Sequence, residues 1–460
     1  MRRPVEPPSL HSYLGPNSES GPLADRLFRI MLSGNIRSDD NGKYRHWDTL
    51  RHCTVPSGLD ATHEEWWLAM KLARVQQRRE LPLRTTSNSP MWLTSSDLLY
   101  PYLQLVDQQT AGSIHAPSFI TDTHLRDRYL FTMLTEEAIT SSQLEGASTT
   151  RRVAREMIRT GRQPTTRSER MIMNNFHAME FVRIHAQESI TQALIFQLHH
   201  IVTEGTLDSE RELGAFREHS DDIVIEDERG NLLHRPPRAD ELPTRIASLC
   251  AFANSTPTPY LHPVLKSIII HFWLAYDHPF VDGNGRTARL LFYWSMLHHG
   301  YWLAEYLSIS TILRNAPSRY AKSFLYVESD EHDLTYFVLN QLGVIKSSID
   351  HLMAHLRRKD KEMTETRKLM SSIRIDSKDL NHRQLAILTH ALKHAYNHYT
   401  IHSHQVSHGV SYLTSRSDLL ALVDRGLLDK TSVGNTLHFI APADLMQRIA
   451  RLASSSTRSL

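Results

Sequence analysis

The stretch HPFVDGNGRTAR, residues 278–289, decides how the central part of this chain folds. Apolar residues recur at helical spacing in 262–277 before it and in 285–299 after it, which predicts two buried helices joined by this turn. An Asp-Gly pair alone is enough to reverse a chain, yet this turn holds two glycines, two arginines, an aspartate and a histidine. We therefore interpret it as a candidate ligand site.

The glycines and arginines of this turn favour a bound anion. The turn lies at the N-terminus of the second predicted helix, where unpaired N–H groups and the helix dipole attract negative charge. Gly283 and Gly285 allow backbone amides to approach a ligand closely. Arg286 and Arg289 are three residues apart, so both can face the same side of the helix, and two guanidinium groups suit two phosphates. The pattern predicts a polyphosphate site.

Asp282 and His278 add a metal ligand and a base to this site. Asp282 offers a hard oxygen of the kind that Mg²⁺ on a polyphosphate uses, and His278 can take a proton near neutral pH. A Walker-A loop is excluded because the turn does not end in Gly-Lys-Ser/Thr. An EF-hand loop starting at Asp282 is excluded because Thr287 and Tyr293 stand where glycine and glutamate are required.

The same residues resemble the Fic-domain motif, His-x-Phe-x-Asp/Glu-Gly-Asn-Gly-Arg-x-x-Arg, at every fixed position. Members of that family have a mostly helical fold and transfer AMP from ATP to a hydroxyl group on a target protein. The resemblance implies that His278 deprotonates this hydroxyl, that Phe280 is a core anchor and that Asp282 holds Mg²⁺. The residues that it implies for ATP binding are Gly283, Asn284, Gly285, Arg286 and Arg289.

An upstream segment, SSQLEG at 141–146, resembles the inhibitory helix motif Ser/Thr-x-x-x-Glu-Gly/Asn of the same family. The resemblance implies that Ser141 and Glu145 are inhibitory residues. It also implies that Glu145 pairs with Arg289 and fills space that the γ-phosphate needs. The pairing is physically sound, since a buried carboxylate needs a cation. The alternative is that Glu145 is an exposed helix residue beside a Gly146 cap.

A predicted β-hairpin at 219–236 resembles the flap of the family. Its residues alternate between apolar and polar around Arg229-Gly230-Asn231, and it follows a Gly-x-Phe-Arg segment at Gly214–Arg217. In the family the flap holds the backbone of the target protein by strand addition. The alternative is an ordinary surface hairpin. Tyr320 resembles a tyrosine downstream of the motif in the adenine pocket; the alternative is a core position.

The tail has a different pattern from the central part. Two helical stretches are followed by a short hairpin around Gly434-Asn435, which is typical of a winged helix-turn-helix. The expected fold class is mainly α: a Fic-type helical core with a small β-hairpin flap, followed by a C-terminal winged helix-turn-helix. The expected domains are a poorly ordered N-terminus at 1–40, an N-terminal helical region at 41–118, the Fic catalytic core including the inhibitory helix at 119–355, a helical connector at 356–375 and a winged-helix domain at 376–446.

The composition indicates a soluble protein of more than one domain. The chain has 460 residues, of which 40% are hydrophobic and 22% charged, and its net charge of +2 is neither strongly basic nor acidic. Cys53 and Cys250 lie far apart without metal-ligand spacing, which fits a reducing compartment. The start does not resemble a secretory signal, and Val264–Tyr276 is too short to span a bilayer. We therefore expect no membrane association and a cytoplasmic location.

The sequence favours a protein adenylyltransferase (AMPylator) that uses ATP and Mg²⁺, is autoinhibited by Glu145 and docks a target protein on the 219–236 flap. One alternative is a nucleotide-sensing regulator that binds DNA or protein, and another is an enzyme that removes AMP from a modified protein. A pure sensor could dispense with the base at His278. For 376–446, DNA and protein partners have equal support, because acidic residues offset the basic residues around Arg416. Self-modification and a homodimer stay open.

Overall fold

The computed structural model describes residues 2–11, 21–32, 36–111, 123–227, 229–372, 380–393, 398–433, 436–445 and 447–449. Helices make up most of these residues and the strands are short, which confirms the mainly α prediction. The chain forms two compact units, Met1–Ala354 and His355–Leu460. In the described part, none of the helices combines the length and the apolar character that a membrane crossing requires.

The first unit begins with α1 Gly21–Leu32, α2 Trp47–Leu50, α3 His63–Gln76, β1 Arg78–Arg84 and β2 Pro90–Thr94. Helix α1 lies within 1–40, a stretch that the sequence predicts to be poorly ordered. Leu27 and Ile30 are neighbours on one face of α1 and are buried in a core that includes Trp67. This apolar pair gives the helix a surface to pack, which composition alone does not reveal.

A hairpin interrupts the region 41–118, which the sequence predicts to be helical. Strands β1 and β2 pair antiparallel, with Arg79 opposite Leu93. Leu81 and Leu83 are buried while Glu80, Pro82 and Arg84 on either side of them are exposed, and a period of two suits a strand rather than a helix. This alternation is the physical reason for the difference from the prediction.

Parts of the predicted organisation lie outside the described residues. These parts are 1, 12–20 and 33–35 of the N-terminus, 112–122 around the 118/119 boundary, 228 in the predicted flap, 373–379 around the 375/376 boundary, and 394–397, 434–435 and 446 of the tail. The helix expected at 356–375 is present as far as Ser372, as the last part of α14 Thr335–Ser372.

The rest of the first unit is built mainly from helices. Its elements are α4 Tyr100–Val106, α5 Thr123–Leu144, α6 Arg151–Thr160, α7 Arg167–His185, α8 Gln192–Thr203, β3 Ile225–Glu226, β4 Leu232–His234, α9 Leu242–Asn254, α10 Pro263–Asp277, α11 Asn284–His298, α12 Ile309–Asn315, α13 Pro317–Ser329 and the first part of α14. Thr150, Thr166 and Thr191 begin α6, α7 and α8, and each side chain accepts a backbone N–H of the first turn. The helices predicted at 262–277 and 285–299 correspond to α10 and α11.

Helices α10 and α11 form the centre of this unit. They pack along each other, and α11 also packs against α7 and α8. Nearly every residue of both helices is buried, and Ser267 Oγ donates to Ser295 Oγ across their interface at 2.8 Å. Helix α5 packs against α7 and α12. The turn between α10 and α11 is therefore held at one end of a rigid helical core.

The second unit contains α15 His382–Lys393, β5 His398–Thr400, α16 Ile401–His408, α17 Tyr412–Asp424, β6 Asp429–Val433 and β7 Thr436–Ile440. Its strands form an antiparallel sheet in the order β5-β7-β6. The core of the unit is apolar around Leu388, Leu419, Leu422 and Phe439. The chain order of helix, strand, two helices and two strands agrees with the winged helix-turn-helix of the predicted fold class.

Candidate active site

His278 directly follows α10 and holds a strained backbone conformation. Its φ and ψ angles are 45° and 58°, in the left-handed region that residues with a Cβ rarely adopt. Its N–H donates to Leu274 O at 3.0 Å and ends the helix. The preceding Asp277 is fully buried and accepts from Arg245 Nε at 2.8 Å and Trp273 Nε1 at 3.0 Å. These bonds fix the point at which the chain leaves α10.

The ring of His278 is neutral and has one nitrogen available. Burial lowers the pKa of His278 to about 4, although a hydrogen bond to Ala275 O opposes this shift. Nδ1 lies 3.4 Å from Ala275 O, so Nδ1 carries the proton and Nε2 keeps its lone pair. Arg217 Nε donates to the carbonyl oxygen of His278 at 2.8 Å. A neutral imidazole with an open Nε2 suits a general base.

Buried side chains hold the turn after His278 in place. Phe280 is fully buried and stacks on the ring of His199 at 3.8 Å between centroids. His199 Nε2 donates to Asp282 O at 2.9 Å, and its Nδ1 accepts from the N–H of Gly214 at 3.1 Å. Asn284 accepts from Phe280 N at 2.9 Å and donates to Phe280 O at 2.8 Å. The Asn284 side chain thus closes the turn from inside, and its role in ATP binding stays a prediction.

The two glycines of the turn let its backbone lie close to neighbouring side chains. Gly283 has φ +81°, and a Cβ there would lie 2.6 Å from Thr203 Cγ2. A Cβ on Gly285 would collide with the carboxylate of Glu145. Both glycines are therefore needed for the observed packing. The carboxylate of Glu145 also lies against the N-terminal turn of α11, where unpaired amides favour an anion.

Arg286 is a buried cation with unused donors. Its side chain is 0% exposed, and its Nη1 donates to Val202 O at 2.9 Å. Nε and Nη2 make no hydrogen bond to any residue that the structure describes; Nη2 lies 3.5 Å from Asp282 Oδ2. Burial lowers the pKa of Arg286. A buried guanidinium in this state favours an incoming anion.

Arg289, in contrast, uses its donors within the chain. Nε donates to Ser141 Oγ at 2.9 Å, and Nη2 donates to Ser141 O at 3.0 Å and to Glu145 Oε1 at 2.9 Å. Burial opposes the charge on Arg289, but its neighbours Glu145, Tyr320 and Glu137 together outweigh burial and raise the pKa of Arg289, with Glu145 contributing most among them. The end of α5 is thereby bonded to the second arginine of the turn.

A second contact holds α5 in place. Glu137 is fully buried in α5 and accepts from Ser308 Oγ at 2.9 Å and from Ser310 N at 3.1 Å. Burial raises the pKa of Glu137. Since these partners lie at the start of α12, the middle of α5 is anchored while its last turn faces the site.

Asp282 lies at the mouth of the turn. Its side chain is 37% exposed, and Oδ2 is 3.5 Å from Nη2 of both Arg167 and Arg286. Among the residues that the structure describes, no three His, Cys, Asp or Glu side chains cluster as metal ligands. One exposed carboxylate fits Mg²⁺ when phosphate oxygens supply further ligands. Arg167, at the start of α7, is a third arginine near the turn that the sequence did not single out.

The hairpin predicted as a flap is present as β3 and β4. Ile225 pairs with His234, and Leu232 remains partly exposed. Arg217, from the Gly-x-Phe-Arg segment, pins the base of the hairpin: its N–H donates to Pro279 O at 2.9 Å and its Nη2 donates to Pro237 O. The hairpin is thus attached directly to the turn.

Tyr320 is half-buried and lies close to the second arginine of the turn. Its hydroxyl is 3.0 Å from His271 Nε2, and its ring contacts the edge of Phe324 at 5.3 Å. Burial raises the pKa of Tyr320, and the nearby Arg289 opposes this shift. The adenine pocket and a core position both stay predictions for this residue.

The structure brings every predicted site residue to one place. His278 and the residues from Asp282 to Arg289 share the turn, and Ser141 and Glu145 reach it through Arg289. Sequence reasoning missed His199 and Arg167, which come from other helices. No local pattern marks them, since their importance arises from contacts with Asp282.

The family model that matches this chain is the Fic/DOC family, over residues 189–296. The protein adenylyltransferase Fic of Nematostella vectensis is 35% identical over 108 residues, which are 24% of this chain and 23% of that protein. The Drosophila melanogaster protein of the same name is 40% identical over 68 residues, 15% of this chain and 14% of that protein. The chain thus spans less than a quarter of the length of these curated relatives.

Solved structures of Fic proteins are also similar to this chain. A Fic family protein from Desulfovibrio desulfuricans G20 has a TM-score of 0.46 and 19% identity, covering 75% of this chain and 95% of that one. Fic-1 from C. elegans has a TM-score of 0.42 and 19% identity, covering 56% of this chain and 73% of that one. The family likeness of this chain is therefore to the Fic/DOC family, over residues 189–296.

Proposed function

We propose that this chain is a protein adenylyltransferase that moves AMP from ATP to a hydroxyl side chain of a target protein, with Glu145 as its internal inhibitor. The observation that carries the proposal is Arg286, whose buried Nε and Nη2 lack a hydrogen bond among the described residues. A triphosphate at the N-terminus of α11 satisfies both donors. The names of the similar proteins and the family match at residues 189–296 support the reaction.

In the proposed reaction, the hydroxyl oxygen of the target attacks the α-phosphorus of ATP. A P–O bond to the target forms, the bond from the α-phosphorus to the bridging oxygen of the β-phosphate breaks, and pyrophosphate leaves. The hydroxyl proton passes to Nε2 of His278, which is unprotonated near neutral pH because burial lowers its pKa to about 4. Arg286 and the first amides of α11 stabilise the phosphate charge.

We assign Mg²⁺ to Asp282. The carboxylate is partly exposed and stands beside the donors that face the phosphates. Bound there together with phosphate oxygens, the ion would neutralise part of their charge. Arg167 and Arg286 approach the same carboxylate and would add positive charge beside the phosphates.

Glu145 restrains this reaction through two effects. Its carboxylate lies against Gly285, in space that a phosphate oxygen needs, and it bonds to Nη2 of Arg289. A second anion at the same place is repelled and finds Arg289 already paired. We therefore expect wild-type protein to bind ATP without placing the terminal phosphate productively.

The target protein is proposed to dock on the 219–236 flap. Strands β3 and β4 form a two-stranded sheet, which leaves backbone groups on its edges for an added strand. Because Arg217 joins the flap to the backbone at 278–279, a docked segment lies next to His278. A hydroxyl of the chain itself is an alternative acceptor. The unit around 376–446 is proposed as a winged-helix module for a DNA or protein partner.

The test is transfer of label from α-labelled ATP into protein with Mg²⁺, with purified chain alone and with cell lysate. We expect Glu145→Gly to label protein more strongly than wild type and the double variant Glu145→Gly, His278→Ala to label none. Glu136→Ala is the matched control, because Glu136 lies on the same helix but pairs with Arg151 and Arg155 at the surface. If Glu145→Gly binds ATP but transfers no label, the proposal is wrong and nucleotide sensing or AMP removal replaces it.

A further inference from the structure

His234, the last residue of β4, joins the flap to two other parts of the core. It pairs with Ile225 across the hairpin. Its Nε2 lies 2.8 Å from the carbonyl oxygen of Tyr276 in α10, and its Nδ1 lies 2.5 Å from Oε1 of Glu328 in α13. The residue is only 9% exposed. Both neighbours of the ring nitrogens are hydrogen-bond acceptors in this geometry.

Two acceptors facing two ring nitrogens require two N–H donors. A neutral imidazole has one, so His234 satisfies both contacts only as an imidazolium. The titratable groups that face it from α10, α13 and the segment before α14 are Tyr276, Asp277, His278, Glu328 and His332.

Glu328 is the group that decides the charge of His234. Burial lowers the pKa of His278 and of His332, so neither adds a positive charge near neutral pH. Asp277 is already paired with Arg245, at 2.7 Å. The Glu328 carboxylate is therefore the anion left to pair with the second N–H of His234.

We propose that protonated His234 is a positioning residue that clamps the base of the flap to the catalytic helix, and that loss of its second proton releases this clamp. Without that proton, Nδ1 turns a lone pair toward the Glu328 carboxylate, and attraction becomes repulsion. Arg217 supplies a second attachment that does not change with pH, through His278 O and Pro237 O. The flap thus has one permanent and one titratable attachment.

The consequence for catalysis rests on the proposed function. The flap is the surface on which the target docks, whereas ATP is held by the turn and α11. Loss of the second ring proton of His234 as the pH rises is expected to raise the KM for the target protein and to leave the KM for ATP unchanged. A higher KM for the target protein with an unchanged KM for ATP distinguishes a positioning role of His234 from a general loss of structure.

The direct test is hydrogen–deuterium exchange of peptides covering 222–236 at pH 6 and pH 8.5, corrected for the chemical exchange rate. In wild type we expect exchange to rise roughly tenfold at the higher pH, as expected for loss of a charge-assisted hydrogen bond. Glu328→Gln is expected to exchange slowly at both pH values, because its amide N–H can donate to Nδ1 of a neutral ring. Glu328→Ala is expected to exchange fast at both.

Glu331→Gln is the matched control, since Glu331 lies in the same segment but contacts Lys71 instead of the flap. It should behave as wild type does. The proposed clamp is wrong if the corrected exchange of the wild-type flap is the same at both pH values. It is also wrong if Glu328→Gln shows the same pH response as wild type. The measurement needs neither ATP nor a target, so its failure is distinct from failure of label transfer.

Discussion

Two buried arginines of the first unit face carboxylates, and their surroundings differ. Arg74 donates to Ser38 O, Tyr336 OH and Arg45 O at 2.6–2.9 Å, and Asp330 beside it is 2% exposed. Arg289 donates to Ser141 and Glu145, and Glu145 is 31% exposed. The first network is closed on all sides and serves stability. The second opens toward solvent, where an incoming anion can replace the carboxylate.

The largest effect on stability is expected at Asp330, in the closed network around Arg74. We expect Asp330→Asn to lower the free energy of unfolding by about 3–5 kcal/mol, because the buried Lys71 Nζ loses its nearest anion at 2.6 Å and keeps only the half-exposed Glu331 at 3.4 Å. Urea unfolding followed by tryptophan fluorescence measures this, since all seven tryptophans lie in Met1–Ala354. Asp350→Asn, which removes an exposed pair with Lys346, should change little. Equal losses in both variants contradict the prediction.

The second largest effect is expected at Arg286. In the Glu145→Gly background, Arg286→Ala should reduce label transfer at least a hundredfold, roughly the effect of losing one charge-stabilising donor. The reason is that Nε and Nη2 of Arg286 are buried donors without a hydrogen bond among the described residues. Arg159→Ala, on an exposed face of α6, is the control and should keep full transfer. Retained transfer in Arg286→Ala would show that this donor does not face the phosphates.

The smallest effect is expected for stability at Glu145. We expect Glu145→Gln to change the free energy of unfolding by less than about 1 kcal/mol, because the pair is partly exposed and solvent screens it. The same urea experiment applies. A loss as large as that of Asp330→Asn would mean that the Arg289 pair is structural, and the distinction between the two networks would then disappear.

The twelve contiguous residues of the turn could be predicted because their chemistry and spacing are visible in one stretch of sequence. The helices on either side followed from their apolar period. Three other residues could not be predicted, since each acts through a contact with a distant part of the chain: His199, Arg167 and His234. The same limit applies to Asn284, whose side chain bonds to Phe280 rather than facing outward.

The N-terminal part shows a second limit of sequence reasoning. Helix α1 and strand β1 each carry a short pair of apolar residues that tertiary packing buries: Leu27 with Ile30, and Leu81 with Leu83. So short a pattern does not stand out from polar surroundings. Tertiary burial, not local propensity, decides the structure there.

We propose that Glu145 fills the space, and pairs with the arginine, that the terminal phosphate of ATP requires. Calorimetric titration of ATP and ADP into wild type and Glu145→Gly tests it most directly. We expect wild type to bind ATP no more tightly than ADP. In contrast, Glu145→Gly should prefer ATP by roughly tenfold, because the released Arg289 forms a charge-assisted bond with the additional phosphate. An unchanged ratio of the two affinities in Glu145→Gly would contradict the proposal.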